Sequence, residues 1–304
     1  MSQEIKNVAL MGAGGNLGPT ILKALFEAKY NVTVISRASS DATFPGSTVI
    51  KTDYSESSLV DAFQGIDAVV STLSGTGFLA QKTTIDAAVK AGVKRFIPSE
   101  FGGDTTNPRA RDMAGLIYQP KNEVAEYLKA KVAENPSFSY TLAISGPFFD
   151  WGLRLGFLPF DIKKKTALIF DDGETKFSTS TLAQIGRAVA AILAHPAETE
   201  NKDIFFDSFT VSQNEILAVF EKVTGSKWTL NHTTAAAVLQ QGKEALSKGD
   251  MGTGVFQSLV GVTFTQEDTG GNFPQEHTLS NDLLGLPHED LEEAINAYIE
   301  SSKA

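Results

Sequence analysis

An α/β fold, with a doubly wound parallel sheet and a smaller, discontinuous lobe beside it, is predicted by three observations. Strand-like and helix-like runs alternate through the first half of the chain. The turn Gly12-Ala13-Gly14-Gly15-Asn16-Leu17-Gly18 joins the first strand to the first helix, and the alternation stops near residue 145.

Strands are expected at 6–11, 31–36, 47–51, 67–72, 93–98 and 139–144, and helices at 16–29, 56–64, 78–91 and 120–134. Leu17, Ile21, Leu25 and Ala28 share one face of the first helix, and Pro19 falls in its first turn, where a missing N–H costs little. Gly92 and Pro136 stop the helices before them. Alternation of this kind specifies parallel strands covered by helices on both faces. Residues 145–180 are instead rich in aromatics and glycine. Ser180-Thr181 then caps an apolar helix that His195-Pro196 ends, and a strand at 203–207 returns to the sheet. Ser212-Gln213-Asn214-Glu215 is a capping box for a helix closed by Gly225. A helix is expected at 234–248. Gly249, Gly252, Gly254, Gly261, Gly270 and Gly271 mark 249–273 as mostly loop, and Leu291, Ala294, Ile295, Tyr298 and Ile299 give a last helix.

The chain has 304 residues, 42% of them hydrophobic, enough to bury a large core. A net charge of −10 argues against nucleic acid as a partner, because neutralising phosphates needs clustered Lys and Arg. The one basic run, Lys163-Lys164-Lys165, reads as a solvated turn. Zero cysteines exclude disulfides, thiolate metal sites and a cysteine nucleophile. The N-terminus passes straight into the first strand and no apolar run is long enough for a membrane span, so a soluble cytoplasmic protein is expected.

The glycine turn carries the first functional reading. Gly12, Gly14, Gly15 and Gly18 permit a tight turn and close approach of backbone to phosphate, and Asn16 and Leu17 lead into a helix whose unpaired N–H groups favour an anion. This is the Rossmann-type recipe for a dinucleotide pyrophosphate. Ser36 and Arg37 close the second strand about 20 residues further on, where an acid would suit NAD and an arginine suits the 2′-phosphate of NADP. NADP(H) is therefore the expected cofactor; the plainer alternative is a surface arginine. Asp53, after the third strand, either borders the adenine or is an ordinary turn acid. In Ser71-Thr72-Leu73-Ser74-Gly75, Thr72 and Leu73 follow the fourth strand at the edge where ligands bind. Residues 1–150, completed by about 180–207, are expected to bind the dinucleotide, with 151–179 and 208–304 as a substrate-binding lobe.

Arg95-Phe96-Ile97-Pro98-Ser99-Glu100-Phe101-Gly102, ending the fifth strand, carries a resemblance. It resembles the Phe-x-Pro-Ser-Glu-Phe-Gly motif of the isoflavone reductase-like group, within the NmrA-like atypical short-chain dehydrogenases/reductases. Gly146-Pro147-Phe148-Phe149, Ile185-Gly186-Arg187 and Asn201-Lys202 extend it over most of the chain. The resemblance implies that Ser99, Phe101 and Phe148 lie against the cofactor. It also implies that Lys121, 22 positions after Ser99, stands near the nicotinamide as general acid/base.

Physical reasons favour the same lysine. With Pro120 at the first helical position, Lys121 falls in the first turn, where the helix dipole and partial desolvation lower its pKa toward working pH. The alternative is an exposed lysine in a first turn. Tyr127 and Lys131 have the Tyr-x-x-x-Lys spacing of short-chain dehydrogenases, but they fall toward the far end of that helix, and Tyr127 reads as packing. Tyr118 has the wrong spacing for that signature yet can face substrate. Phe149 and Trp151, with Phe148, Phe157 and Phe160 near them, suggest an aromatic-lined cleft for a flat substrate, or else a core between lobes.

No metal is expected. His195, His232, His277 and His288 are scattered and read as surface or cap residues, and no Gly-x-Ser-x-Gly elbow is present. The function these features imply is an NADPH-dependent reductase of a small, aromatic organic substrate. The rival is a non-catalytic NADP-binding redox sensor of the NmrA type, acting through a protein partner; an isomerase or dehydratase is a third reading.

Overall fold

The structure is a computed structural model that describes residues 4–73 and 77–302. The elements run β1 (Asn7–Met11), α1 (Gly18–Glu27), β2 (Asn31–Arg37), β3 (Thr48–Thr52), α2 (Glu56–Ala62), β4 (Ala68–Ser71), α3 (Gly77–Ala91) and β5 (Arg95–Ile97). They continue with α4 (Pro108–Met113), α5 (Gly115–Glu134), β6 (Ser139–Ile144), α6 (Phe149–Leu155), β7 (Phe160–Asp161), β8 (Thr166–Phe170), β9 (Phe177–Thr179) and α7 (Leu182–Ala194). Last come β10 (Lys202–Phe205), β11 (Phe209–Val211), α8 (Gln213–Thr224), β12 (Thr229–Thr233), α9 (Ala235–Ser247), α10 (Met251–Phe264), α11 (Phe273–Glu276) and α12 (Leu291–Ser301).

Seven strands form one sheet in the order β10-β6-β5-β4-β1-β2-β3. Every pairing in it is parallel. Alternate side chains of each strand enter different cores, as a period of two requires. Val8, Leu10, Val32 and Val34 pack with Leu25 and Val189 toward α1 and α7. Ala9, Met11, Phe96 and Leu142 pack with Leu59, Ile85 and Leu128 toward α2, α3 and α5. The returning strand is β10, paired with β6. A third core, around Phe149, Phe160, Phe177, Phe220 and Phe264, is built from α6, β7–β9, α8–α10 and α12. The capping box at Ser212 and the left-handed Gly225 close α8 as expected, and Thr181 caps α7.

Two expectations are corrected. Residues 249–273 are not mostly loop: α10 occupies Met251–Phe264. Its glycines serve close helix packing, since a Cβ on Gly254 would lie 2.4 Å from Leu246 and one on Gly261 2.3 Å from Leu239, both on α9. Pro120 does not start a helix either; it lies inside α5, which begins at Gly115. The local start signal is Asn107-Pro108, where Asn107 caps α4. Pro120 has no N–H to offer the Leu116 carbonyl one turn earlier, and Leu116 is an exposed residue. Lys163–Lys165 form an exposed turn. Among the described residues no helix is long and apolar enough to cross a membrane.

Candidate active site

Because all seven strands are parallel, their C-terminal ends share one edge, and strand order reverses between β1 and β4. Crevices at such a point are where open α/β sheets bind ligands. The glycine loop sits there. Gly12 has φ +82°, and a Cβ on it would lie 2.5 Å from the Thr72 hydroxyl; one on Gly18 would lie 2.3 Å from the Gly12 carbonyl. Gly15 N–H donates to Gly12 O at 2.9 Å, and the Thr72 hydroxyl lies 2.9 Å from Met11 O and 3.1 Å from Gly12 O. Gly14, Gly15 and Asn16 are exposed, while Leu17 is buried. No side chain caps α1, and its first turn holds no acid. The N-terminal N–H groups of α1 are thus left for an anionic ligand.

Ser36 is buried and Arg37 exposed at the end of β2, one strand from the loop. Asp53 caps the turn into α2, accepting from Ser55 N at 2.9 Å and from its hydroxyl at 2.7 Å. Those hydrogen bonds, with one from Ser58, hold its carboxyl down at about 2. Its turn role is therefore realised. Leu73 is half-buried beside Thr72; Ser74 and Gly75 lie outside the described residues.

The motif after β5 forms the other half of the site. Ser99 N–H donates to the buried Gln81 at 2.9 Å, and Phe101 is buried against the α1 side of the sheet. Lys121 is 7% exposed. Its Nζ donates to Glu100 O at 2.5 Å and to Phe101 O at 3.1 Å. Burial holds Lys121 below its ordinary value, while Glu100 pulls it back up. Since Lys121 is in the second turn of α5, burial rather than the helix dipole lowers it. Tyr118, three residues earlier on α5, is 5% exposed. Burial pushes its hydroxyl well above the usual range, so it stays protonated and able to donate. A Cβ on Gly103 would lie 2.5 Å from that hydroxyl, and one on Gly102 3.4 Å from Lys121 Nζ.

Tyr118 borders a narrow cavity of about 20 Å³, walled also by Phe177, Val262 and Phe273, room for roughly one water. Sequence reasoning did not select those three. Phe177 lay unsorted among the aromatics of 145–180, and the other two lay in the segment read as loop. Residues 265–272 cross over this cavity between Phe264, buried in the third core, and Phe273, buried in the core on the α5 side. Gly271 O accepts from Ser178 N at 2.7 Å, Glu267 pairs with Arg109, and His277 meets Asp104 at 3.0 Å. His277 is the C-cap of α11, its backbone N–H donating to Phe273 O at 2.7 Å, and its ring also stacks on Phe205. His195 is the C-cap of α7.

The expected aromatic wall is corrected in part. Phe149 is fully buried, edge-on to Phe209, and Phe157 and Phe160 join it in the third core, because α6 turns its apolar face inward. Phe148 is half-buried with its ring edge-on to Trp151; neither lines the cavity beside Tyr118.

A glycine loop at the switch point of a parallel sheet, with a sealed lysine at the neighbouring strand ends, defines a Rossmann-type α/β oxidoreductase. Residues 4–294 match the NmrA-like family, and the chain belongs to it. It is 39% identical over 296 residues to oxidoreductase aprR of Aspergillus flavus, covering 96% of this chain and 98% of that one. It is 30% identical over 263 residues to the isoflavone reductase homolog IRL of Zea mays, covering 81% and 83%. The structure of AtPrR2 with NADP+ and (+)pinoresinol shares the fold, with a TM-score of 0.74, 20% identity and coverage of 98% and 100%. Within the family the chain stands with the isoflavone reductase-like oxidoreductases.

Proposed function

We propose that this protein is a cytoplasmic, NADPH-dependent reductase of a small aromatic substrate, with Lys121 as its general acid. The observation that carries this reading is the shared sheet edge, with a glycine-rich phosphate loop after β1 leading into an uncapped α1, and a desolvated lysine of α5 whose ammonium reaches the loop beyond β5. The dinucleotide fits the residues present, since glycines stand where a side chain would collide and the N–H groups of α1 are uncapped. Gly12, Gly14, Gly15, Asn16, Leu17 and Gly18 hold the pyrophosphate, and Arg37 takes the 2′-phosphate. Ser36, Thr72, Leu73, Ser99, Phe101 and Phe148 complete the cofactor side, with Asp53 near the adenine end. Bound NADPH supplies hydride to an electrophilic carbon of a carbonyl, enone or quinone-methide.

Lys121 donates a proton to the substrate oxygen, directly or through one water. Tyr118 donates a hydrogen bond that orients the substrate, and Trp151 borders the entrance. Residues 1–150 with 180–207 form the nucleotide half, and 151–179 with 208–304 the substrate half. AtPrR2, whose structure holds NADP+ with (+)pinoresinol, supports a small organic substrate beside the same cofactor. Phe177, Val262 and Phe273 place apolar surface beside Tyr118.

Calorimetric titration with NADPH and NADH, followed by a panel of aromatic ketones and enones, tests the proposal. NADPH should bind at least about tenfold more tightly, a difference of about 1.4 kcal/mol, and Arg37→Ala should erase that preference. Failure to bind either coenzyme overturns the reading. So does binding without consumption by any panel member in a protein that co-purifies with a partner.

A further inference from the structure

Lys121 shares its compartment with a second ionisable group that the proposed chemistry leaves unused. Glu100 is 1% exposed, and its carboxylate accepts a hydrogen bond from the Thr105 hydroxyl. The carbonyl of the same residue holds Lys121 Nζ at 2.5 Å, and the next carbonyl along, Phe101 O, holds it at 3.1 Å. The ammonium is thus pinned to the backbone of the residue whose side chain is the buried acid.

Such an acid is expensive to keep. A buried carboxylate needs pairing or several donors, and replacing a buried ion pair by neutral groups is often neutral or stabilising. Glu100 is nonetheless sealed in with Lys121, whose charge acts on it. Asp104 and Asp203 also face Glu100, and both are acids. Tyr118 faces it from α5. Further out, His277 pairs with Asp104, while Lys129 and Glu126 act on Asp203.

We infer that Glu100 is a positioning residue for Lys121: its carboxylate, confined with the amine in one dry compartment, keeps the lysine protonated until the substrate takes that proton. The inference rests on the reading of Lys121 as general acid. In the step itself an N–H bond of Lys121 breaks and an O–H bond forms on the substrate. The pair then carries one net negative charge, which one proton from solvent removes. The electrostatics run the same way: burial raises Glu100 and Lys121 opposes that rise, leaving it at about 7. For Lys121, burial lowers the ammonium and Glu100 restores it.

The test is an NMR titration of the full chain carrying 13C-labelled lysine side chains, with the Lys121 signal identified by its absence in Lys121→Met. In Glu100→Gln, which still accepts from Thr105, the Lys121 midpoint should fall by about one pH unit or more. The Lys131 midpoint, set by Asp86, should stay in place. Should Glu100→Gln not fold, Thr105→Val serves instead. Removing the donor favours the neutral acid, so the Lys121 midpoint should move the same way by a smaller amount. A Lys121 midpoint within about 0.3 unit of the parent in the folded variant overturns the inference, even if melting temperature has dropped, because a purely structural glutamate leaves the titration alone. Undiminished turnover in Lys121→Met removes the lysine from catalysis without touching the titration, so the two failures are separable.

Discussion

Near its start α5 presents Tyr118 and Lys121 to the sheet edge; further along it presents Tyr127 and Lys131 to α3. The two lysines are about 15 Å apart along the axis. Only the second pair has the spacing of the short-chain dehydrogenase signature. Its lysine pairs with Asp86 at 2.7 Å, its tyrosine donates to the same carboxylate at 2.7 Å, and Lys131 Nζ lies 5.0 Å from the Tyr127 ring centroid. The hydrogen bond from Lys131 to Asp86 raises the lysine above its ordinary value, which fixes the proton in place. Among the described residues, Lys121 has two backbone carbonyls on its ammonium, and burial lowers it. Spacing on a helix therefore does not mark the lysine proposed as general acid. What sets it apart is dehydration without a carboxylate in hydrogen-bond contact.

Three outcomes would sharpen or break that contrast, beginning with the largest. Lys121→Met should lower turnover on the ketone and enone panel by roughly 10²–10⁴-fold, the usual worth of a general acid, while NADPH affinity by calorimetry stays within a few-fold. Retained turnover would leave the two ends of α5 equivalent.

The next effect belongs to the phosphate loop. In Gly18→Ala the added carbon would stand 2.3 Å from Gly12 O and 2.6 Å from the Ala13 backbone. The loop must then open, costing about 1–3 kcal/mol in chemical denaturation and most of the NADPH affinity. Unchanged binding would mean the loop does not hold the cofactor.

The smallest change is expected at the other end of the helix. Tyr127→Phe and Lys131→Met should shift stability by no more than about 1 kcal/mol, since the ion pair is partly solvated, and should leave turnover as it was. A large loss of turnover there would reverse the assignment.

Much of the fold was legible because its causes are local. Strand periodicity, the glycine turn, the Ser212 box and the stops at Gly92 and Gly225 each act over a few residues, and chain connectivity then leaves few ways to arrange parallel strands. Where packing overrode local preference, the sequence misled. The glycines of α10 look like loop formers, yet they are what lets α10 approach α9. Pro120 looks like a helix start because its local preference ignores the turn that α4 and Ala114 place ahead of it.

What the sequence determined by itself is the signature of a dinucleotide site: a glycine loop between the first strand and helix, an arginine closing the second strand, and a motif whose resemblance points to Lys121. Tertiary structure alone decided which side chains are dry. Phe149 went into a core, Phe177, Val262 and Phe273 came to wall the cavity by Tyr118, and Glu100 was sealed in with Lys121. Burial is a sum over contacts between segments distant in the chain, and the proton affinity of a buried group follows that sum, so neither can be read from neighbours in sequence.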